Sequence, residues 1–234
     1  MLHTMHRKPI SISISRILSI SLMLICSIGI QAQTKKKIFT DEVDTIPFFH
    51  GLSVSLDAVG LAQMAFGNYG QYEGALRVNL KDKYFPIIEL GWGKANAYDE
   101  ITKLTYKTKA PYGRIGCDFN IMKNKHDIHR LYGGFRYAFT SYKFDVFSPA
   151  IQDPVWGDYV EFQMHDVKAN YHWLELVVGV DAKVWKCFRL GWSARYKRRL
   201  FHNDGDAGNT WYVPGYGKQG NMRLGGTFNI TIEL

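Results

Sequence analysis

The sequence predicts an all-β fold, an antiparallel up-and-down transmembrane β-barrel of about eight strands after an N-terminal signal peptide. Three observations predict it. Apolar and polar residues alternate in eight successive runs, the connections between the runs are alternately short and long, and the polar faces of the runs carry acids and bases in nearly equal numbers. Alternation with a period of two is typical of strands that have one apolar and one polar face.

The N-terminus has the pattern of a secretory signal. Basic residues precede an apolar run, residues 17–30, and the small residue Ala32 follows it. A run this short favours a cleaved signal over a membrane-spanning helix, which needs about 20 apolar residues. The sequence therefore predicts a signal peptide over residues 1–32, a periplasmic N-terminal segment over residues 33–50 and the barrel over residues 51–234.

Eight alternating runs supply the predicted strands, and most approach the roughly 9 to 11 residues that a tilted strand needs to cross a bilayer. The first two runs place Leu, Val and Tyr opposite Ser, Glu and Arg, and the third is the least regular because two glycines share its polar face. The later runs alternate cleanly, and the eighth ends at the last residue. The runs cover residues 52–58, 72–80, 88–93, 112–121, 131–140, 174–184, 188–197 and 222–234.

The connections add a second regularity, because short turns alternate with longer loops. The short turns fall at residues 81–83, 123–129 and 185–187, and the other end has a tip at 67–70 and long loops at 96–111, 145–170 and 201–220. Outer-membrane barrels have short turns on the periplasmic side and long loops outside the cell. We therefore expect the long loops to be extracellular.

Alternation alone leaves two arrangements open, a soluble ligand-binding barrel with an apolar core and a membrane barrel with an apolar exterior. The polar face favours the second, because arginine predominates over lysine there and alternates with small residues. A guanidinium satisfies several acceptors in a confined space. We therefore predict a plugged lumen held by ion pairs rather than a pore. Its predicted charge network comprises Asp57, Glu73, Arg77, Glu89, Arg114, Asp118, Arg136, Glu175, Asp181, Arg189, Arg195 and Arg223.

Aromatic residues make up 15% of the chain. Tyr and Trp favour the two membrane interfaces, where the ring is buried and the polar tip is wet. The strand ends carry suitable residues. The predicted aromatic positions are Tyr72, Trp92, Tyr171, Tyr196 and Trp211 on the long-loop side, and Phe48, Tyr84, Phe85, Trp185 and Phe188 on the turn side.

Together, the signal segment, the eight runs and the alternation of turns and loops resemble the small OmpA/OmpX-type barrels. More narrowly, they resemble uncharacterised outer-membrane β-barrel families of Bacteroidota. The resemblance implies export through a cleaved signal peptide and location in the outer membrane. One departure is the final residue, Leu234, because such barrels usually end in an aromatic residue.

Few residues in the long loops have the chemistry of a catalyst. His165 and His202 have acidic neighbours, but general acid–base catalysis also needs a positioned nucleophile, and only Ser148 offers a serine hydroxyl in these two loops. Residues 203–209 alternate oxygen ligands as calcium loops do, yet they lack the later bidentate Glu. We therefore predict no catalytic residue, no metal site and no cofactor.

The predicted function is that of a non-enzymatic outer-membrane barrel with a structural or interaction role through its extracellular loops. The alternatives are an outer-membrane lipid-modifying enzyme or protease, and a soluble periplasmic ligand-binding barrel. Lys103, Lys107 and Lys109 are predicted to contact lipid phosphates. The expected partners are outer-membrane lipid and, among envelope components, lipopolysaccharide or proteins. A monomer is expected, and nucleic-acid binding is not, because the chain is secreted and its basic residues lie mostly inside the predicted barrel.

Overall fold

The structure, a computed structural model, describes residues 47–152 and 155–234. Eight long antiparallel strands close into one barrel, in which each strand pairs with its neighbours in sequence and the last pairs with the first. The predicted fold class is confirmed, and the predicted signal peptide lies outside the described residues. The elements are β1 (Phe49–Asp57), α1 (Ala58–Phe66), β2 (Tyr69–Leu80), β3 (Tyr84–Tyr98), β4 (Thr105–Asn120), β5 (Arg130–Gln152), β6 (Tyr159–Trp185), β7 (Phe188–Asn203), a 3₁₀ turn (Gly205–Ala207), β8 (Tyr212–Val213), β9 (Gly217–Lys218) and β10 (Met222–Glu233).

The barrel is apolar outside and charged inside. Leu90 is 64% exposed and Trp192 is 65% exposed, whereas Glu89 between the outward-facing residues of β3 is 1% exposed. This distribution is unfavourable in water, because removing apolar surface from water lowers the free energy. A closed sheet also pairs its backbone groups internally, which is the requirement for strands that cross lipid. The exposed apolar face and charged interior are those of a membrane-spanning barrel and not of a soluble barrel with an apolar core.

Two of the predicted long loops are largely strand, which corrects the sequence interpretation. β3 and β4 remain paired up to Tyr98 and Thr105, and β5 and β6 remain paired up to Gln152 and Tyr159. These hairpins extend beyond the apolar band, so most of their outward-facing residues are polar and the pattern that marks a lipid-facing strand is lost. Their β-branched and aromatic residues still favour the extended backbone.

A helix, α1, replaces the end of the first predicted strand and most of the connection to the second. Asp57 caps it, because its carboxylate accepts hydrogen bonds from the backbone N–H groups of Val59 and Gly60, each at 3.1 Å. The helix packs against β2 and β10 at the long-loop end of the barrel. Asp57 is buried as predicted, but its carboxylate caps the helix and is not part of the predicted charge network. An Asp followed by Ala, Leu, Gln and Met is a signal that could have indicated this helix.

No helix within the two described ranges has the length and apolarity that crossing a membrane would require.

Candidate functional site

The middle of the lumen contains a cluster to which six neighbouring strands contribute one charged residue each. Every strand from β2 to β7 places this residue on its inward face, and all six side chains are buried. We call this set the glutamate–arginine cluster. Its members are Glu73, Glu89, Arg114, Arg136, Glu175 and Arg195.

Glu89 lies at the centre of the glutamate–arginine cluster. Its carboxylate oxygens are 2.7 Å from Arg136 Nε, 2.8 Å from Arg195 Nη1 and 3.0 Å from Arg114 Nη1. Arg114 also lies 2.9 Å from Glu175 through its Nε and bonds to Glu73. Each guanidinium therefore bridges acids from different strands, which the fixed fork of donors makes possible.

A second cluster lies on the turn side and shares Arg136 with the first. Arg77 Nη1 is 2.6 Å from Asp181 and its Nη2 is 3.0 Å from Asp118, while Arg136 Nη2 is 3.1 Å from Asp118. Lys197 adds a base on the other side, 3.9 Å from Glu175. Together the two clusters and Lys197 contain five acids and five bases. This balance matters because an unpaired buried charge lowers the free energy of unfolding by about 3–5 kcal/mol.

Two tyrosines line the wall between these charges by lying across glycines of the adjacent strand. Gly91 is directly opposite Tyr112, and a Cβ added at Gly91 would be 2.5 Å from the Tyr112 hydroxyl oxygen. The same arrangement recurs at Gly179 and Tyr132, where the added Cβ would be 2.4 Å from the hydroxyl. The ring of each tyrosine contacts a guanidinium: Arg114 Cζ lies 4.7 Å from the ring centre of Tyr112, and Arg77 Cζ lies 4.8 Å from that of Tyr132. The absence of a side chain at each glycine therefore leaves space for a tyrosine ring, and an arginine packs against that ring.

Residues 205–220, which we call the plug, occupy part of the outer end of the lumen. The sequence predicts an exposed loop here, but Tyr212, Val213 and Tyr216 are fully buried. The Gly215 carbonyl accepts hydrogen bonds from Arg114 and Lys197 at 2.8 and 2.7 Å, which joins the plug to the charges below. A loop containing Trp, Tyr, Val and Pro in succession is too apolar to favour water, and this composition could have indicated its burial.

Two inward-facing aromatic residues of β6 support the plug. Tyr171 and Trp173 are both buried, with ring centroids 4.9 and 5.6 Å from that of Tyr216. The sequence places Tyr171 at the membrane interface, and this is wrong because β6 continues past the interface with the same alternation. Trp211, also predicted at the interface, lies in the plug instead and has its ring 5.7 Å from that of Tyr69.

The two remaining residues of the predicted network lie at the mouths of the barrel. Arg189 is at the turn side, where its Nη1 is 3.2 Å from Glu233, and Arg130 Nη1 is 2.8 Å from the same carboxylate. Arg223 is at the outer mouth and donates a hydrogen bond to the Lys218 carbonyl at 2.7 Å rather than to an acid. The Arg223 side chain is on the inward face of β10, but it lies closer to the outer mouth than the acidic residues of the lumen.

A cavity of about 460 Å³ opens at the turn side, and Asp82 forms part of its lining. Asp82 is in the turn between β2 and β3 and has a left-handed backbone with φ of 54°. Its carboxylate lies 2.9 Å from His50 Nδ1 and 3.0 Å from His126 Nδ1, and it accepts a hydrogen bond from Asn79 at 2.6 Å. Burial opposes ionisation of the carboxylate, but the hydrogen bonds with His126, Asn79 and His50 outweigh burial and lower the pKa of Asp82. The sequence interpretation did not anticipate this cluster, because His50 and His126 are far from Asp82 in the chain.

Replacing Asp82 with Asn should lower the free energy of unfolding at neutral pH by about 1 kcal/mol, because Asn tolerates the left-handed backbone but is not an anionic acceptor. The carboxylate's contribution is present above the usual Asp pKa of about 4 and is lost as the pH falls through the lower pKa of the folded state. Denaturant titrations of the barrel in lipid vesicles, at neutral and acidic pH, measure the difference. The matched control is Asp158→Asn in the exposed hairpin. Equal stability of wild type and D82N at neutral pH would contradict the prediction.

Comparison with known proteins now identifies the family. Residues 13–234 match the family described as a domain of unknown function (DUF6048). The chain belongs to the DUF6048 family. This match, with the closed barrel, confirms the predicted resemblance to uncharacterised barrel families. No curated protein matches the sequence.

Several solved structures are similar to this DUF6048 chain. A major outer membrane protein from Thermus thermophilus is 14% identical, with 79% of this chain and 98% of that chain covered and a TM-score of 0.44. The attachment invasion locus protein Ail of Yersinia pestis, solved with the heparin analogue sucrose octasulfate, is 12% identical, with 78% and 97% covered and a TM-score of 0.38. The N-terminal β-barrel domain of Pseudomonas aeruginosa OprF is 10% identical, with 80% and 99% covered and a TM-score of 0.37.

The two loop histidines considered as catalysts in this DUF6048 chain, His165 and His202, each lie near an aspartate. His165 Nδ1 is 3.7 Å from Asp145, and His202 Nε2 is 3.4 Å from Asp204. Asp204, which belongs to the calcium-like stretch, is buried and accepts a hydrogen bond from Gln219 at 2.8 Å. Across residues 47–152 and 155–234, no group of three or more His, Cys, Asp or Glu is arranged to hold a metal ion.

The structure separates the three lysines predicted to contact lipid phosphates. Lys103 is in the turn of the β3–β4 hairpin, whereas Lys107 and Lys109 are exposed on the outer face of β4. Lys107 is directly opposite Asp145, and Lys109 is directly opposite Lys94. The three lysines therefore have different electrostatic surroundings.

Proposed function

We propose that this protein is a closed barrel of the bacterial outer membrane, with a structural or interaction role through its projecting hairpins and without catalysis. The observation that carries the proposal is the filled lumen. The cavity beside Glu73, Glu89 and Arg195 has a volume of about 10 Å³, close to the space that one water molecule requires. A space of this size does not hold a hydrated ion, and the plug occupies part of the lumen above it.

The projecting hairpins support an interaction role. β5 has 23 residues and β6 has 27, more than twice the roughly 9 to 11 that cross a bilayer. Beyond the membrane the paired strands form a surface that carries exposed apolar side chains, including Phe162 and, at the tip, Trp156. Exposed apolar groups on an ordered surface are typical of contact sites. The partners we propose are outer-membrane lipid and other envelope components, including lipopolysaccharide.

Conductance in planar lipid bilayers tests the closed lumen. We expect the mature protein to insert without large, steady channels, because ten paired charges and their aromatic neighbours occupy the pathway. A variant that lacks residues 209–219 should also remain closed, since both charged clusters lie below the plug. Large, steady channels from the wild type would overturn the proposal. Channels from the deletion variant alone would show that the plug, and not the charges, closes the barrel.

Cell fractionation tests the location. We expect the protein in the outer-membrane fraction, with a folded form that migrates differently from the heated form in a gel. Recovery in the soluble periplasmic fraction would contradict the proposal.

A further inference from the structure

Four lysines form a row on the outer face of four adjacent strands, β3 to β6. Lys94 is directly opposite Lys109, and Lys143 is directly opposite Lys168. Lys109 and Lys143, on the adjacent strands β4 and β5, line the same shallow depressions of the outer surface. All four side chains are exposed. We call this set the lysine row, and at about 4.8 Å per strand it spans roughly 14 Å.

The lysine row is electrostatically unfavourable by itself. Opposed residues of an antiparallel pair have Cβ atoms about 5 Å apart, and like charges in such a pair are destabilising. Lys143 has an exposed ion pair with Asp166 at 3.0 Å, and such a pair contributes little to stability. Within the described residues, Lys94, Lys109 and Lys168 have no ion pair with an acid. Three of the four lysines therefore lack an acidic partner within the part of the chain that the structure describes, and this excess of positive charge indicates an anion supplied from outside the chain.

The position of the row indicates where that anion lies. Trp92, two residues before Lys94 on the same face of β3, stacks with Tyr72 at 6.1 Å, and such aromatic pairs favour the membrane interface. Two residues along a strand are about 7 Å, so the flexible lysine stems extend into the headgroup layer. The same four strands have apolar side chains exposed on the membrane side of the row. These are Leu90, Ile115, Phe139 and Leu174.

We infer that the lysine row binds the phosphate groups of a phosphorylated glycolipid in the outer leaflet, namely lipopolysaccharide. The cations match the phosphates, and the apolar strip beneath them matches the acyl chains, which a free phosphate lacks. Lys109 is the one residue of the predicted lysine set that belongs to the row. The inference rests on the proposed function, because the row lies at headgroup level only in a barrel that spans the outer membrane.

Titration of the full mature chain in neutral detergent micelles with bisphosphorylated lipid A tests the inference. The readout is the temperature at which the folded gel band disappears, since a ligand that binds only the folded state stabilises it. A variant with Lys94, Lys109, Lys143 and Lys168 all changed to Gln should bind at least tenfold more weakly than wild type. Without lipid A it should be at least as stable as wild type, because the repulsion is relieved.

Matched controls separate phosphate recognition from general charge effects. Lys81→Gln, Lys83→Gln, Lys123→Gln and Lys186→Gln, combined in one variant, remove the same charge at the turn side and should leave binding unchanged. Dephosphorylated lipid A and inorganic phosphate should each stabilise the wild type much less than lipid A does. Should the fourfold variant not fold, the two variants K94Q/K109Q and K143Q/K168Q should each bind more weakly than wild type.

Three outcomes would overturn the inference: equal lipid A binding by wild type and the row variants, equal binding of dephosphorylated lipid A, or equal stabilisation by inorganic phosphate. None of these bears on conductance or fractionation. Failure of the proposed function in those experiments is therefore distinguishable from failure of the lysine row.

Discussion

Glu89→Gln should lower the free energy of unfolding by about 3–5 kcal/mol, which is the cost of breaking a buried ion pair from one side. The carboxylate lies within 3.0 Å of Arg114, Arg136 and Arg195, and all four side chains are buried. Gln keeps the shape and one acceptor oxygen but removes the charge. The lumen then retains one uncompensated positive charge that neither lipid nor water can stabilise.

The control and the rescue of Glu89→Gln use the same measurement, denaturant unfolding in lipid vesicles followed by tryptophan fluorescence. Glu161→Gln makes the same chemical change on an exposed part of the projecting hairpin and should cost about 0.5 kcal/mol or less. Combining Glu89→Gln with Arg195→Gln restores the balance of charge and should recover part of the lost stability. Glu89→Gln with the stability of wild type would show that the cluster does not stabilise the barrel.

The inward position of Glu89 could be predicted from the sequence, but its partners could not. Alternation fixes which face of a strand a side chain occupies, since a shift by one residue would move every side chain to the other face. The partners depend on the register of strands distant in sequence. Arg77 and Asp181, for example, are 104 residues apart and meet at 2.6 Å across the lumen. Local pattern contains no information about such a distance.

The ends of the barrel were less predictable than its middle. Above the membrane, the outward face of a strand meets water and loses its apolar residues, so the β5–β6 hairpin has the composition of a loop. The plug depends on a space in the outer lumen that exists only after the barrel closes, although Tyr212 and Tyr216 offered a compositional signal. Lys109 and Lys168 belong to separate predicted long loops, and only the register places them in one row with Lys94 and Lys143.

Trp173→Ala should lower the free energy of unfolding by about 3–5 kcal/mol, the usual cost of deleting a large buried side chain. Trp173 is 0% exposed and lies between the charged clusters and the plug. Its Nε1 donates a hydrogen bond to Glu175 at 2.6 Å, and its ring packs against those of Tyr171 and Tyr216. The substitution removes both the packing beneath the plug and a donor to a buried carboxylate. Denaturant unfolding in vesicles measures the loss.

Two further variants separate the packing of Trp173 from its hydrogen bond. Trp173→Phe keeps most of the ring and loses the donor, so it should cost about 1.5–3 kcal/mol, the worth of a hydrogen bond to a charged group. Trp156→Ala at the hairpin tip, where the side chain is 81% exposed, should cost about 0.5 kcal/mol or less. If packing supports the plug, trypsin should also cleave after Lys218 faster in Trp173→Ala than in Trp173→Phe. Equal cleavage rates and equal stabilities of these two variants would show that the hydrogen bond to Glu175, and not the packing, is what Trp173 contributes.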